Sequence, residues 1–108
     1  MNNYLDMGGY FTMKKIIGGK LYDTETAIRI GEYNNGEMPN SFHYYSETLY
    51  QKKNGEFFLL IDGIRKKIYG NYTTDCKIEK IDVEQAKEWC ELNLSGEEYI
   101  DVFGQVDE

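Results

Sequence analysis

The stretch F-H-Y-Y-S-E-T-L-Y-Q-K-K-N-G-E-F-F-L-L-I, from Phe42 to Ile61, decides the fold class. Phe42 to Lys53 is rich in aromatic and β-favouring residues, Glu56 to Ile61 is almost wholly apolar, and Asn54-Gly55 lies between them. Asn-Gly between two such runs signals a β-hairpin closed by a two-residue type I′ turn, which needs positive φ at both central residues. A two-residue loop sets the register. Lys53 then faces Glu56, Gln51 faces Phe58 and Leu49 faces Leu60; on the other side Lys52 faces Phe57, Tyr50 faces Leu59 and Thr48 faces Ile61. Both faces carry apolar residues, which places the hairpin centrally in its sheet.

Upstream, Ile28, Ile30 and Glu32 alternate with Arg29, Gly31 and Tyr33, the pattern of a half-buried strand. Asn34-Asn35-Gly36, with Pro39 and Asn40, reads as a loop. Lys14 to Tyr22 is a strand region interrupted by Gly18-Gly19, followed by turn chemistry in Asp23-Thr24-Glu25-Thr26. Residues 1–12 have no period and carry a Gly-Gly pair, so they are expected to be a loose N-terminal extension of a domain spanning 13–104.

Downstream, Asp62-Gly63 breaks the apolar run, and Gly70-Asn71 marks a turn. Cys76 and Ile78 alternate with Lys77 and Glu79, which suggests a last strand ending near Ile81. The chain then turns helical. Asp82 with Gln85 forms a capping box, as does Ser95 with Glu98, and Gly104 is a C-terminal stop. Val83, Ala86, Cys90 and Leu94 fall on one apolar stripe with Trp89 at its margin; Tyr99, Ile100 and Phe103 form the apolar side of a second helix. Residues 105–108 are an acidic tail. The expected fold is α+β: an antiparallel sheet of four to five strands with a central Asn-Gly hairpin, and two C-terminal helices packed on one face.

A chain of 108 residues with 41% apolar and 15% aromatic content supports one core and is too aromatic for a disordered segment. No apolar run approaches the roughly 18 residues of a membrane span, and the N-terminus lacks the basic and apolar regions of a secretory leader. A cytoplasmic location with both thiols reduced is therefore expected. The net charge of −7 is confined to the end of the chain. Residues 82–108 hold nine acids and one base, Lys87, whereas residues 1–81 hold ten acids and eleven bases. Phosphates would repel such a surface, which argues against direct nucleic-acid binding; a basic protein surface would attract it.

Glu84, Glu88 and Glu91 lie at i, i+4 and i+7 on one helix face, away from the apolar stripe. Repulsion between such pairs costs only about 0.2–0.5 kcal/mol each, so a solvated face explains the row as well as a binding role does. The binding role is a line of carboxylates that mimics phosphates in a basic channel, extended by Glu97, Glu98 and Asp101 of the second helix. Arg65-Lys66-Lys67 with Lys52 and Lys53 could form a basic patch, more simply read as balance for nearby acids. His43 shares no known motif with Ser41, Ser46, Cys76 or Cys90, and Gly18-Gly19-Lys20 lacks the spacing of a phosphate loop. One histidine and two cysteines build no zinc cluster. No cofactor, metal or catalytic residue is expected.

Three segments together carry a resemblance: K-K-I-I-G-G-K-L-Y-D-T-E-T-A (Lys14 to Ala27), E-T-L-Y-Q-K-K-N-G-E-F-F-L (Glu47 to Leu59) and A-K-E-W (Ala86 to Trp89), the last followed by E-E-Y and F-G. Over about Met13 to Gly104 the chain resembles a group of small proteins of Firmicutes mobile elements and phages, some of which are anti-CRISPR inhibitors of a type II Cas nuclease. The resemblance implies a non-enzymatic inhibitor that binds a protein partner. It carries over no catalytic residues. The chain departs from the group over Ile61 to Asp75, which is basic and tyrosine-containing where the group is often Gly-rich. The alternative is an interaction or assembly module unrelated to CRISPR, dimerising through a sheet edge or the tyrosine-rich surface.

Overall fold

The computed structural model describes residues 12–108, with the backbone alone for 64–68 and 72–74. The expected loose extension over 1–12 therefore lies, Thr12 apart, outside the described residues. Six strands precede two helices: β1 (Lys14–Ile17), β2 (Lys20–Asp23), β3 (Ile28–Asn34), β4 (Ser46–Gln51), β5 (Phe57–Ile68), β6 (Asn71–Ile81), α1 (Val83–Asn93) and α2 (Gly96–Phe103). The fold is α+β. β3-β4-β5-β6 form an antiparallel sheet in that order, and β1 and β2 pair only with each other.

The sheet separates two cores. On one face Tyr50, Phe58, Leu60, Cys76 and Ile78 pack with Met13, just before β1, and Tyr22 of β2. Tyr50 stacks on Phe58 at 5.2 Å, and Tyr22 meets Phe58 edge-on at 5.5 Å. On the other face Leu49, Phe57, Leu59 and Ile61 pack with Ala86, Trp89 and Cys90 of α1, while Leu94, Tyr99, Val102 and Phe103 seal the margin. The sequence pattern anticipated the helical cover. It did not anticipate that β1 and β2 would leave the sheet to cover its opposite face.

The β4–β5 connection departs from the expected two-residue turn. The register pairs Leu49 with Leu59 and Tyr50 with Phe58, one residue away from the expected pairing. Lys52 N–H donates to Glu56 O at 2.7 Å and Gly55 N–H donates to Lys52 O at 2.9 Å, so Lys53, Asn54 and Gly55 form a three-residue loop. Gly55 has φ of 96°, but Asn54 is not among the positive-φ residues. Three-residue loops of this kind place one residue, here glycine, in the left-handed region. Asn54 contributes through its side chain instead: Oδ1 accepts from Glu56 N–H at 3.0 Å and Nδ2 donates to Glu56 Oε1 at 2.9 Å. Positive φ at both central residues occurs elsewhere, at Tyr69 (50°) and Gly70 (82°), between the paired residues Ile68 and Asn71.

Asp62-Gly63 is not a break either. β5 continues through it by a bulge between Asp62 and Ile64. Because β4 ends opposite Asp62, residues 64–75 form a two-stranded ribbon beyond the four-stranded sheet. Residues 42–45, expected to be strand, precede β4 as a turn and an irregular stretch. Asn35 holds them, donating from Nδ2 to His43 O at 2.7 Å and accepting at Oδ1 from Tyr45 N–H at 3.2 Å. In β3 the expected alternation is interrupted by an irregularity between Arg29 and Gly31.

Candidate functional site

The helices carry the expected caps. Asp82 Oδ1 accepts from Gln85 N–H at 2.8 Å while Gln85 Oε1 accepts from Asp82 N–H at 2.9 Å. Ser95 and Glu98 repeat the box at the start of α2. Gly104 closes α2 with φ of 88°. Of the expected stripe, Ala86 and Cys90 are fully buried and Leu94 is half-buried. Val83 is a correction: it is 48% exposed. As the first residue of α1 it lies in the wall of a cleft at the end of the sheet, not over the sheet. Trp89, expected at the margin, is buried, and its Nε1–H donates to Glu47 Oε1 at 2.9 Å. The second oxygen of Glu47 accepts from the Tyr45 hydroxyl at 2.6 Å. Burial first, and then that bond to a carboxylate, holds the Tyr45 hydroxyl well above the ordinary tyrosine range. Glu47 thus ties the sheet to α1 and belongs to the scaffold.

All six expected contact residues, Glu84, Glu88, Glu91, Glu97, Glu98 and Asp101, are exposed on the two helices. They are not equivalent. Glu84 has Lys87 Nζ at 4.0 Å. The same lysine sits 5.9 Å from the Phe103 ring centroid, within cation–π range. Glu98 Oε1 accepts from Ser95 N–H at 2.9 Å, so that carboxylate is engaged in the cap. Glu88, Glu97 and Asp101 are exposed carboxylates, and Glu91 lines a groove between α1 and α2. Leu94, Tyr99, Ile100 and Val106 complete much of that groove, whose volume is about 530 Å³. Leu94 is held over β3 by the absence of a side chain at Gly31, where a Cβ would lie 2.7 Å from its Cδ2. The groove was not foreseen from sequence. No local signal in the sequence points to it, because its walls come from α1, α2 and the segment beyond α2.

A second cleft, of about 700 Å³, opens where the β1–β2 turn, the β4–β5 loop and the start of α1 converge. Two charges in its lining, Lys20 and Glu56, pair with each other. Glu56 accepts from Lys20 Nζ at 2.8 Å and from Lys52 Nζ at 3.0 Å. The hydrogen bond from Lys20, with those from Asn54 and Lys52, pulls the Glu56 carboxyl down to about 2. This network pins the β1–β2 hairpin to the β4–β5 loop.

The backbone separates the two basic segments that a patch would need. Lys52 and Lys53 lie at the loop before β5, while Arg65, Lys66 and Lys67 lie in the distal ribbon, opposite Thr74, Thr73 and Tyr72. His43, expected on a strand, is in the turn before β4. Cys76 and Cys90 are both buried and lie on opposite faces of the sheet, and burial pushes the Cys90 thiol up to about 11. Among the described residues no three His, Cys, Asp or Glu side chains are grouped as metal ligands, and no helix is long and apolar enough to cross a membrane. Comparison with protein-family models, with curated proteins and with solved structures found no match to this chain.

Proposed function

We propose that this chain is a small non-enzymatic binding protein that docks the acidic outer surface of α1 and α2 on a basic surface of a protein partner. The resemblance described above makes a type II Cas nuclease the first partner to test. The observation that supports the reading is the exposure of all six carboxylates beside a single lysine, Lys87. A surface this one-sided favours encounter with a basic channel and disfavours encounter with nucleic acid.

The test is target-DNA cleavage by guide-loaded nucleases from Firmicutes hosts, with and without this protein, in native form and as the Glu84→Gln, Glu88→Gln, Glu91→Gln triple variant. Inhibition by the native chain that weakens in the variant and with rising salt is the expected result. Absence of inhibition across those nucleases refutes the CRISPR assignment. Inhibition that survives the triple change refutes the carboxylate mechanism. A second reading, a homodimer through the sheet edge, is favoured by β3, an edge strand on which Ile28 and Tyr33 are exposed. It requires a concentration-dependent dimer in light scattering that Ile28→Lys abolishes.

A further inference from the structure

The acidic helices do more than display charge. Their groove has a largely apolar wall drawn from three segments: Leu94 just after α1, Tyr99 and Ile100 in α2, and Val106 beyond it, with Cys90 buried beneath. Val106 is 55% exposed, and Leu94, Tyr99 and Ile100 are half-buried. An apolar groove with a polar edge is the kind of surface into which an amphipathic segment lays its apolar side chains. Glu91 is the charged residue in its lining, and the surrounding sequence has one sign. Residues 88–108 contain seven acids and neither lysine nor arginine.

We infer that this groove is the docking site for a cationic amphipathic segment of the partner protein, its apolar side chains seated against Leu94, Ile100 and Val106 and its lysines or arginines facing Glu88, Glu91, Glu97 and Asp101. The inference rests on the reading of the acidic surface given above and names what that surface binds. Charge complementarity selects this occupant. A second copy docking through the same face would bring its own acidic helices against these, like against like. An anionic membrane surface or a nucleic acid would be repelled for the same reason. An amphipathic helix supplies both required elements, with apolar anchors at i, i+3, i+4 and i+7 and cations on the remaining positions.

The probe is a fluorescein-labelled synthetic peptide of ~18 residues with leucine at those anchor positions and lysine elsewhere. A second peptide replaces every leucine by serine. Fluorescence anisotropy with the full chain is expected to show the leucine peptide bound at least about tenfold more tightly than the serine peptide. The double variant Ile100→Ser, Val106→Ser is expected to remove that preference while leaving the serine peptide's affinity unchanged. Amide chemical-shift changes in the native chain, which need no variant to fold, are expected at Leu94, Ile100 and Val106 on addition of the leucine peptide. Equal binding of the two peptides, or shift changes that miss the groove, overturns the groove as a docking site and leaves the acidic-surface reading standing. Binding of both peptides that is insensitive to the Glu84, Glu88 and Glu91 triple change overturns the role of that row instead. Binding of neither peptide overturns this inference, while nuclease inhibition decides the wider reading separately.

Discussion

Gly63 carries the sharpest stability test in this fold. It forms the bulge in β5 with φ of 96°, and a Cβ built there lies 2.0 Å from Tyr44 O, 2.9 Å from Tyr44 C and 3.0 Å from Tyr45 Cα. All three neighbours are backbone, so no side chain can rotate away. In Gly63→Ala the positive φ alone costs roughly 1–2 kcal/mol. Relieving the overlap also requires the Tyr44–Tyr45 backbone to move by about 1 Å. That movement endangers the bonds from Asn35 N–H to Tyr45 O and from Tyr45 N–H to Asn35 Oδ1. Each is worth on the order of 1 kcal/mol net. A loss of about 3–4 kcal/mol is therefore expected, which for a domain of this size is on the order of 12–30 °C in Tm. Gly36→Ala is the control, since Gly36 has φ of 82° and nothing within 4 Å of a built Cβ. It is expected to lose only the conformational part, about 1–2 kcal/mol. Urea unfolding followed by emission of Trp89, the single tryptophan, compares the two at equal slope. If Gly63→Ala loses no more than Gly36→Ala, the close approach of Tyr44 to the bulge is wrong.

Three further outcomes are expected. The Glu56 carboxyl is lowered from 4.5 to about 2 by its bonds to Lys20, Asn54 and Lys52, so its stabilisation is complete above pH 4.5 and is lost as pH falls from there through 2. Glu56→Gln should flatten this part of the acid limb of a Tm-against-pH profile, and an unchanged limb would remove Glu56 from the account. Cys90, buried and raised to about 11, should resist an aromatic disulfide reagent at pH 8 in the native chain and react once urea unfolds it; rapid native labelling would contradict its place beneath α1. Asp82→Ala should cost about 1 kcal/mol by urea unfolding, with Asp82→Ser largely restoring it, because the capping oxygen rather than the charge is what α1 needs. Equal loss in both variants would point to charge instead.

The candidate site divides along the same line as the fold. Exposure of Glu84, Glu88 and Glu91 was legible because residues at i, i+4 and i+7 share a helix face, and that face excludes Ala86 and Cys90. The groove was not legible. It needs α1, α2 and Val106 brought together, and no spacing along one helix encodes that convergence. Nor was the separation of Lys52 and Lys53 from Arg65 to Lys67, since a twelve-residue β5 places them toward opposite ends only once Gly63 is a bulge rather than a stop.

By itself the sequence determined what depends on neighbours a few residues away. The boxes at Asp82 and Ser95, the stop at Gly104 and the alternation of Cys76 and Ile78 follow from local donors, acceptors and side-chain period. Only the tertiary structure decided the register between β4 and β5. Leu49, Tyr50, Phe57, Phe58, Leu59 and Leu60 are apolar on both faces, so a slip of one residue offends no hydrophobic pattern. What selects the register is the pair of covers. Tyr50 of β4 and Phe58 of β5 share the Tyr22 side, while Leu49 of β4 and Phe57 of β5 share the side covered by the helices, and a one-residue slip would put Tyr50 or Leu49 under the wrong cover.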